Sequence, residues 1–317
     1  MKAMVYTKFG SSDVLHLEEV EKPAPKDNEI LIKVRAASAN AYDWRHLRAD
    51  PFLIRFMGAG LLKPKHKILG ADIAGKVEAV GSHVKQFRPG DEVFGEGGYG
   101  GFAEYVCVDE NRLVLKPASL AFDEAAAVPM AALTALQGLR DKGRIRAGQK
   151  VLINGASGGV GTYAVQIAKS FDTEVTGVCS TTKMDLVRSI GADHVIDYTQ
   201  EDVTKNGQPY DLIFDIAAYR SISEYKRILS PNGIYVLAGG SMARIFQLML
   251  MSMTRVKNMG FMVANINQKD LLYMVELIQT GKVRPIIDKR FPLTKTAEAL
   301  RYLEEGQARG KIIISVS

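Results

Sequence analysis

The feature that most constrains the fold is an apolar run followed at once by closely spaced glycines, in the sequence VLINGASGGVG of residues 151–161. A strand, a glycine-rich turn and a helix N-terminus in this order form a row of backbone N–H groups that binds a pyrophosphate. The pattern is A-x-G-x-x-G, and glycines alone are also compatible with a simple tight turn. Because a strand pattern precedes the turn and a helical pattern follows it, we predict a dinucleotide site. The predicted contacts are Ala156, Ser157, Gly158, Gly159 and Val160.

The residues after the next predicted strand decide which dinucleotide this turn would bind. An Asp or Glu about 20 residues beyond the loop selects NAD by accepting hydrogen bonds from the ribose. Ser180 stands 19 positions after Gly161 instead, and Lys183 follows it. A hydroxyl donates to a phosphate and an ammonium neutralises it, so the pattern favours NADPH. The alternative is that Ser180 only caps the helix that begins near Lys183.

Two kinds of pattern divide the chain. Residues 1–121 contain short strands separated by glycine and proline turns, which is typical of an antiparallel β region. Residues 122–266 alternate buried apolar runs with helical spacers, which is typical of a doubly wound parallel sheet. Residues 267–317 depart from this repeat, and we expect them to return to the first domain. The sequence therefore predicts an α/β protein with one domain of residues 1–121 and 267–317 and another of residues 122–266.

Composition excludes several other classes. The 317 residues are 47% hydrophobic and 24% charged, which excludes disorder and suits a soluble protein with two cores. Two cysteines and five scattered histidines cannot form a disulfide framework or a cysteine-rich zinc lobe, and they favour a reducing cytoplasm. We find no signal peptide and expect no membrane anchor. The net charge of +6 comes from dispersed basic residues, so no nucleic-acid partner is expected.

Several spaced motifs carry a family resemblance that covers essentially the whole chain. They are VRAASANAYD at 34–43, LGADIAGKV at 69–77, FRPGDEVF at 87–94, GFAEY at 101–105, LTA at 133–135, the glycine-rich turn, and EEGQARGK at 304–311. With these motifs the sequence resembles the medium-chain dehydrogenase/reductase superfamily, in its zinc-free quinone oxidoreductase (ζ-crystallin-like) branch. The resemblance implies a GroES-like β-barrel domain, a Rossmann domain, and a homodimer formed through the Rossmann sheets.

The departures from zinc-bearing relatives concern the metal. Where those relatives place a cysteine ligand this chain has Asn40, and where they place Gly-His-Glu it has Gly70, Ala71 and Asp72. Neither Asn40 nor Ala71 supplies a thiolate or imidazole. The region of the structural zinc site holds a single cysteine, Cys107. The resemblance therefore implies an enzyme without a metal, and a domain-bridging ion pair is the role expected for Asp72.

The resemblance also implies that Asn40, Tyr42 and Asp43 lie near the nicotinamide. Asn40 and Tyr42 can each donate a hydrogen bond to a substrate carbonyl. Tyr42 is the candidate proton donor, and water is an alternative source of the proton. Packing of a half-buried aromatic ring under the loop is the alternative role for Tyr42. Asp43 is expected to orient neighbouring groups.

The remaining cofactor contacts implied by the resemblance are spread over the chain. They are Thr134, Tyr198, Gly239, Gly240, Val263, Asn265 and Lys311. Gly239 and Gly240 end a predicted strand at the carboxyl edge of the sheet, where ligands bind in doubly wound folds, although a simple turn is the alternative. For Lys311 the alternative to a cofactor contact is a surface salt bridge.

Together these observations predict an NADPH-dependent, zinc-independent reductase of quinones or α,β-unsaturated carbonyls that transfers a hydride in the cleft between its domains. The delocalised oxyanion of that reaction can be stabilised by hydrogen-bond donors alone. Two alternatives stay open: an NADP-dependent alcohol dehydrogenase or carbonyl reductase, and a non-catalytic protein of the same fold that serves RNA binding or membrane trafficking. An apolar segment at 51–62 and a methionine-rich segment at 242–262 are expected to shape the substrate site.

Overall fold

Two units make up the structure, a computed structural model that describes residues 1–56, 58–239 and 258–316. The first unit comprises Met1–Met130, Ile266–Glu276 and Pro285–Ser317, and the second comprises Ala131–Asn265 and Leu277–Arg284. The domain bounds predicted from the sequence, after residues 121 and 266, stay predictions.

Antiparallel pairing dominates the first unit. Its strands are β1 (Lys2–Val5), β2 (His16–Glu19), β3 (Glu29–Ala39), β4 (Asp72–Val80), β5 (Glu92–Glu96), β6 (Tyr105–Asp109), β7 (Leu113–Leu115), β14 (Ile287–Pro292) and β15 (Lys311–Ser315). β1 pairs with β2, and the others form a seven-stranded sheet in the order β14-β15-β3-β4-β5-β7, with β6 paired to β3. β14 and β15 are parallel to each other. The C-terminal strands β14 and β15 thus join the sheet of the N-terminal residues, whereas Leu277–Arg284 belongs to the second unit.

The long strand β3 holds this sheet together. Its alternating residues Ile30, Ile32 and Val34 are buried in the main core of the unit, as expected for a strand with one face on the core. The register places Ser38 opposite Asp72 of β4, and it places the first residues of β15 beside the last residues of β3. The polar residues at these strand ends therefore lie side by side at the same end of the sheet.

A parallel sheet forms the second unit. Its strands are β8 (Lys150–Asn154), β9 (Glu174–Cys179), β10 (His194–Asp197), β11 (Tyr210–Asp215), β12 (Leu229–Leu237) and β13 (Met259–Phe261). They lie in the order β10-β9-β8-β11-β12-β13, and each neighbouring pair is parallel. The strand order reverses between β8 and β11, which makes that point the topological switch. The predicted doubly wound parallel sheet is confirmed.

Helices connect the strands of both units. Their bounds are α1 (Ala41–Arg48), α2 (Phe122–Ala126), α3 (Pro129–Gln137), α4 (Gly159–Ser170), α5 (Met184–Ser189), α6 (Ile222–Arg227), α7 (Gln268–Gln279) and α8 (Thr296–Glu304). Pro129 begins α3, a position where its missing N–H costs no helical hydrogen bond, so the predicted interruption of the helical pattern falls between α2 and α3. None of the helices in the described part of the chain is long and apolar enough to cross a membrane.

Candidate active site

The glycine-rich turn joins β8 to α4. Gly155 has a φ of 87°, a left-handed conformation that glycine adopts without strain. The amides of Gly155 and Ala156 both donate to the carbonyl of Val178, at 3.1 and 3.0 Å. Gly158 is the N-cap residue of α4. The amides of the first helical turn have no acceptor within a helix, so they are the groups that a bound anion would meet.

The two later glycines of the turn have different surroundings. A β-carbon at Gly161 would lie 2.0 Å from the carbonyl oxygen of Gly155, so this glycine lets α4 pack against the turn. A β-carbon at Gly158 would meet the same oxygen at an ordinary 3.6 Å. The described residues therefore do not themselves require glycine at 158. An open space at this position suits the close approach of a phosphate to the backbone.

The five residues predicted to contact the cofactor at this turn are not equivalent. Ala156 is fully buried and its amide is already bonded to Val178, so the predicted contact through Ala156 does not fit this geometry. Ser157 is also buried, whereas Gly158, Gly159 and Val160 are half-buried at the start of α4. The amide of Gly158 donates to the carbonyl of Gly155 at 3.2 Å, so the amides of Gly159 and Val160, in the first turn of α4, are the groups that a phosphate would meet.

The residues predicted to select NADPH lie at the carboxyl ends of β9 and β10. Ser180 precedes a short 3-10 helix, Thr181–Lys183, that ends with Lys183, and both residues are half-buried. Tyr198 follows β10, is 46% exposed, and has its ring 5.4 Å from that of Tyr219. The sheet therefore brings Ser180, Lys183 and Tyr198 to one edge, as a cofactor site at the carboxyl ends of the strands requires.

An acidic side chain that the sequence reasoning did not consider also stands at this edge. Asp197 ends β10 and accepts hydrogen bonds from the Thr181 hydroxyl and from the Thr199 hydroxyl and amide, the last two at 2.8 and 2.9 Å. The bond from Thr181 is the main cause that lowers the pKa of Asp197 below its ordinary value. Because the carboxylate is turned towards these two threonines, it orders the segment that follows β9.

Three more predicted contacts lie in the second unit. Thr134 is half-buried in α3, Val263 is 73% exposed, and Asn265 is exposed. Gln137, which was not predicted from the sequence, makes two hydrogen bonds with the backbone of Asn265. Its Oε1 accepts from the Asn265 amide at 2.8 Å, and its Nε2 donates to the Asn265 carbonyl at 2.7 Å. This pair fixes the segment that follows β13. The only signal in the sequence was a polar residue at the end of an apolar helix.

The two glycines predicted after β12 have different outcomes. A β-carbon at Gly239 would lie 2.6 Å from the carbonyl oxygen of Ile216, so contact between two chain segments explains this glycine and supports the turn alternative. Gly240 lies outside the described residues, as does most of the segment 242–262.

A buried polar network lies at the switch point. Asp215, the last residue of β11, accepts from Asn154 Nδ2 at 2.7 Å, from the Ala218 amide at 2.9 Å and from the Tyr235 hydroxyl at 2.7 Å. Asn154, Asp215 and Tyr235 are fully buried. The network ties together the ends of β8 and β11, directly before the glycine-rich turn.

The candidate catalytic residues lie in the first unit, where β3 passes into α1. Asn40 is the N-cap residue of α1 and is 7% exposed. Its backbone amide donates to Asp43 Oδ2 at 2.8 Å, and Asp43 Oδ1 accepts from the Gly70 amide at 3.0 Å. The fully buried Asp43 thus ties the start of the helix to the loop before β4, which fits the orienting role predicted for it.

The side chain of Asn40 is fully engaged. Its Nδ2 donates to Asp72 Oδ2 at 3.0 Å and to the Ser38 carbonyl at 3.3 Å, and its Oδ1 accepts from the Lys311 ammonium. Because an amide nitrogen carries two hydrogens, Asn40 has no donor left for a substrate carbonyl, contrary to the expectation. Lys311 is 3% exposed, so a surface salt bridge is wrong for it. Its ion pair with Asp72, at 3.6 Å, lies within the first unit and does not bridge the domains.

Tyr42 lies in an aromatic cluster beside α1. Its ring centroid is 3.8 Å from that of His46 and 5.7 Å from that of Tyr99, and His66 stacks on Tyr99 at 4.0 Å. Burial and the hydrogen bond that the Tyr42 hydroxyl donates to Tyr99 raise the pKa of Tyr42 above its ordinary value, so the hydroxyl stays protonated. Tyr99 and His66 also line an open cavity of about 720 Å³. Sequence reasoning missed these partners because they come from separate segments.

Known proteins resemble this chain along its full length. The alcohol dehydrogenase GroES-like domain model matches residues 26–118, and the zinc-binding dehydrogenase model matches residues 190–314. A 2-methylene-furan-3-one reductase of Solanum lycopersicum is 35% identical over 99% of this chain and 79% of its own length. A chloroplast envelope quinone oxidoreductase homolog of Arabidopsis thaliana is 35% identical over 99% of this chain and 98% of its own. The structure of the quinone oxidoreductase from Coxiella burnetii has a TM-score of 0.90 at 30% identity, and covers 100% of this chain and 99% of that one.

This chain belongs to the medium-chain dehydrogenase/reductase superfamily, quinone oxidoreductase branch. The resemblance seen in the sequence motifs is confirmed, and so is the fold class with a GroES-like domain.

Asn40 and Asp72 of this quinone oxidoreductase-branch protein are poor ligands for a zinc ion. A catalytic zinc needs three thiolate, imidazole or carboxylate ligands. Asn40 instead offers an amide oxygen already bonded to an ammonium, and Asp72 already accepts from the Ser38 hydroxyl, from Asn40 and from the Met130 amide. In the ranges that the structure describes, no group of three or more His, Cys, Asp or Glu side chains could hold a metal ion.

Because two carboxyl groups are buried near this site, we expect the free energy of unfolding to depend on pH. Burial raises the pKa of Asp43 to about 7 and likewise raises the pKa of Glu96 to about 7. In an unfolded chain both carboxyl groups have a pKa of about 4. Between these values the folded state keeps protons that the unfolded state has lost, so the free energy of unfolding should fall as the pH rises from about 4 to about 7. Urea unfolding across this window measures the slope.

The control for this pH effect is a neutral side chain of the same shape. Glu96→Gln cannot ionise, so its unfolding free energy should fall less steeply over the same window than that of the wild type. The same slope in the wild type and in Glu96→Gln would contradict the role given to Glu96.

Proposed function

We propose that this protein is an NADPH-dependent, zinc-independent oxidoreductase that reduces quinones or α,β-unsaturated carbonyls by hydride transfer. The observation that carries the dinucleotide assignment is the glycine-rich turn, where Gly161 is required by packing and Gly158 is left open beside the first amides of α4. When bound, NADPH supplies the hydride. The protein binds the nicotinamide nucleotide, orients it and holds the proton that completes the reduction.

The preference for NADPH is supported at the carboxyl ends of β9 and β10. Ser180 and Lys183 offer a hydroxyl and an ammonium at this edge, and the nearby Asp197 is engaged with Thr181 and Thr199. One relative, from Arabidopsis thaliana, is named an NADPH-dependent alkenal/one oxidoreductase and is 34% identical over 99% of this chain. Dissociation constants for NADPH and NADH, measured by nucleotide fluorescence, test the preference. Tighter binding of NADH would contradict it.

The substrate class is supported by the relatives, which are named a 2-methylene-furan-3-one reductase, an alkenal/one oxidoreductase and a quinone oxidoreductase homolog. Reduction of an enone adds a hydride to the β-carbon and a proton to the α-carbon or the oxygen. The test follows NADPH oxidation with 1,4-naphthoquinone, an enone and a simple ketone, and NADP⁺ reduction with the matching alcohol. Turnover of the ketone and alcohol alone would favour an alcohol dehydrogenase, and nucleotide binding without any turnover would favour a non-catalytic protein.

Tyr42 is the proposed proton donor. Its hydroxyl is bonded to that of Tyr99, which lines the open cavity. Hydroxyl hydrogens rotate, so the pair can reverse, with Tyr99 donating to Tyr42 and Tyr42 to the substrate. Tyr99 then regains a proton from solvent that enters the cavity it lines.

Replacing Tyr42 by phenylalanine should lower the kcat of enone reduction by about 100-fold, the size of a lost general acid, while NADPH affinity stays the same. Steady-state rates and a fluorescence titration measure both quantities. Tyr99→Phe should have a smaller effect, because it removes only the second hydroxyl. An unchanged kcat in Tyr42→Phe would assign the proton to water and leave Tyr42 a packing residue.

We further propose a homodimer formed through the sheets of the second unit, in a reducing cytoplasm. Among the described residues, β13 is the last strand of the six-stranded sheet, so its outer edge can pair with a second copy. Light scattering on the purified protein tests the dimer, and a monomer at micromolar concentration would contradict it. Location in the cytoplasm is tested by fractionation of the source cells.

A further inference from the structure

Among the candidate site residues, Lys311 has surroundings that are unusual for a lysine side chain. It is the first residue of β15 and 3% exposed, although lysine is rarely buried without a partner. Its ammonium donates to Asn40 Oδ1 and lies 3.6 Å from Asp72 Oδ2. The pairing of β15 with β3 places it there, because Ile312 is opposite Ala39.

A buried ion pair of this kind is a poor way to stabilise a fold. Removing two charges from water costs several kcal/mol per ion, and apolar side chains of the same size often serve stability as well. Ionisable groups held in such surroundings cluster at functional sites. The position of Lys311 beside Asn40 and Asp72 therefore calls for a functional explanation.

The ammonium fixes the orientation of one amide. An asparagine side chain can be turned by half a rotation about its last bond, which exchanges its oxygen and nitrogen. Lysine only donates, whereas Asp72 and the Ser38 carbonyl only accept, so Asn40 must direct Oδ1 to Lys311 and Nδ2 to the other two. The orientation is thus decided by Lys311 on one side and by two acceptors on the other.

This amide stands at the start of the helix that carries Tyr42. Asn40 caps α1, and its backbone amide is bound by Asp43, which also binds Gly70. Asp72 extends the same network to the amide of Met130 at the start of α3. A change at Lys311 would therefore reach Tyr42 through Asn40.

We propose that Lys311 is a positioning residue for the reduction, whose ammonium locks Asn40 and Asp72 and thereby sets the start of α1 and the place of Tyr42. The inference rests on the proposed function, because it explains how the proton donor of that reaction is held.

The charge on Lys311 gives the proposal a readout of its own. Burial lowers the pKa of Lys311, while the facing carboxyl groups of Asp72 on β4 and Asp43 on α1 raise it. The ammonium is therefore lost at a lower pH than that of an exposed lysine, and kcat should fall as it is lost. Arginine stays protonated throughout this range.

The experiment compares wild type, Lys311→Met, Lys311→Arg and a control, Lys33→Met, which removes an exposed lysine of the same sheet. We expect Lys311→Met to lower the kcat of naphthoquinone or enone reduction by about 10- to 100-fold, as is typical when a supporting partner of an active-site residue is removed. The NADPH dissociation constant should stay within about twofold, since the effect passes through Asn40 and not through the nucleotide. Lys33→Met should match the wild type.

The pH profile separates positioning from a merely structural role. Lys311→Arg should have a higher kcat than Lys311→Met, and its kcat should fall at a higher alkaline pH than that of the wild type. Four results would overturn the proposal: wild-type kcat in Lys311→Met, weaker NADPH binding with unchanged kcat, no recovery in Lys311→Arg when urea unfolding shows it folded, or an alkaline fall that stays in place. A wild type that binds NADPH but reduces none of the acceptors would instead refute the proposed function.

Discussion

Gly158→Ala is expected to leave the fold intact and to weaken NADPH binding by about 100-fold. The new methyl group would meet the protein at an ordinary 3.6 Å, and the residue has φ −82° and ψ 177°, a conformation open to alanine. The same methyl group would occupy the space where a phosphate approaches the first amides of α4. Loss of the hydrogen bonds to a charged phosphate, worth about 1.5–3 kcal/mol, accounts for the 100-fold change. Fluorescence titration measures affinity, and urea unfolding measures stability.

Gly161→Ala should differ because it damages the fold as well. Its β-carbon would stand 2.0 Å from the carbonyl oxygen of Gly155, a backbone atom that cannot move without displacing the turn. Overpacking of this kind costs about 1–3 kcal/mol, occasionally more, so both stability and affinity should fall. Gly260→Ala is the matched control, because none of the described residues has an atom within 4 Å of the new β-carbon and the φ of Gly260 is not in the left-handed region. Unchanged NADPH affinity in Gly158→Ala would remove the phosphate from this turn.

The second large effect is expected at Asp215. Asp215→Ala removes the acceptor of three donors, Asn154 Nδ2, the Ala218 amide and the Tyr235 hydroxyl, all of them in buried residues. The loss of a buried acceptor costs about 1–3 kcal/mol for each donor bonded to it, so the free energy of unfolding should fall by about 3 kcal/mol or more. Because Asn154 directly precedes the glycine-rich turn, NADPH affinity should fall too. Urea unfolding and nucleotide titration check the two effects.

Two variants make the test of Asp215 specific. Asp215→Asn keeps one acceptor oxygen, and its new NH₂ group can donate to the Tyr235 hydroxyl, so it should lose less stability than Asp215→Ala. Asp185→Ala removes a fully exposed carboxylate that pairs with Arg188, and such pairs contribute at most about 1 kcal/mol. Equal stabilities of Asp215→Ala and Asp185→Ala would show that the buried network does not hold the sheet.

Elements with strong local patterns could be predicted from the sequence. The apolar runs at residues 150–154, 174–179 and 194–197 predict strands, and β8, β9 and β10 have these bounds, because buried parallel strands are short apolar runs between turn residues. The apolar run at residues 234–238 predicts a strand that starts at Ile234, but β12 begins five residues earlier, at Leu229. The reason is that Leu229 pairs with Tyr210 of β11 across an irregularity in register. That pairing depends on the neighbouring strand and leaves no mark in the local pattern.

The candidate site was predictable where one segment supplies several groups. Residues 155–161 form a turn by themselves, and their glycines are explained by distances within that turn. The role of Asn40 was predicted incorrectly, since a donor can be recognised from its residue type but its partners cannot. Tyr99 and Gln137 were missed for the same reason. Tyr99 contacts Tyr42 and Gln137 contacts Asn265, and in each pair the two residues are far apart in the chain.

By itself the sequence determined the family, the doubly wound sheet and the glycine-rich turn, because these depend on residue order over short stretches. Only the tertiary structure decided which polar side chains share a site. Lys311 and Asn40 are 271 positions apart, and the pairing of β15 with β3 brings them into contact. A contact across that separation depends on how the strands pair, and no local pattern of residues specifies it.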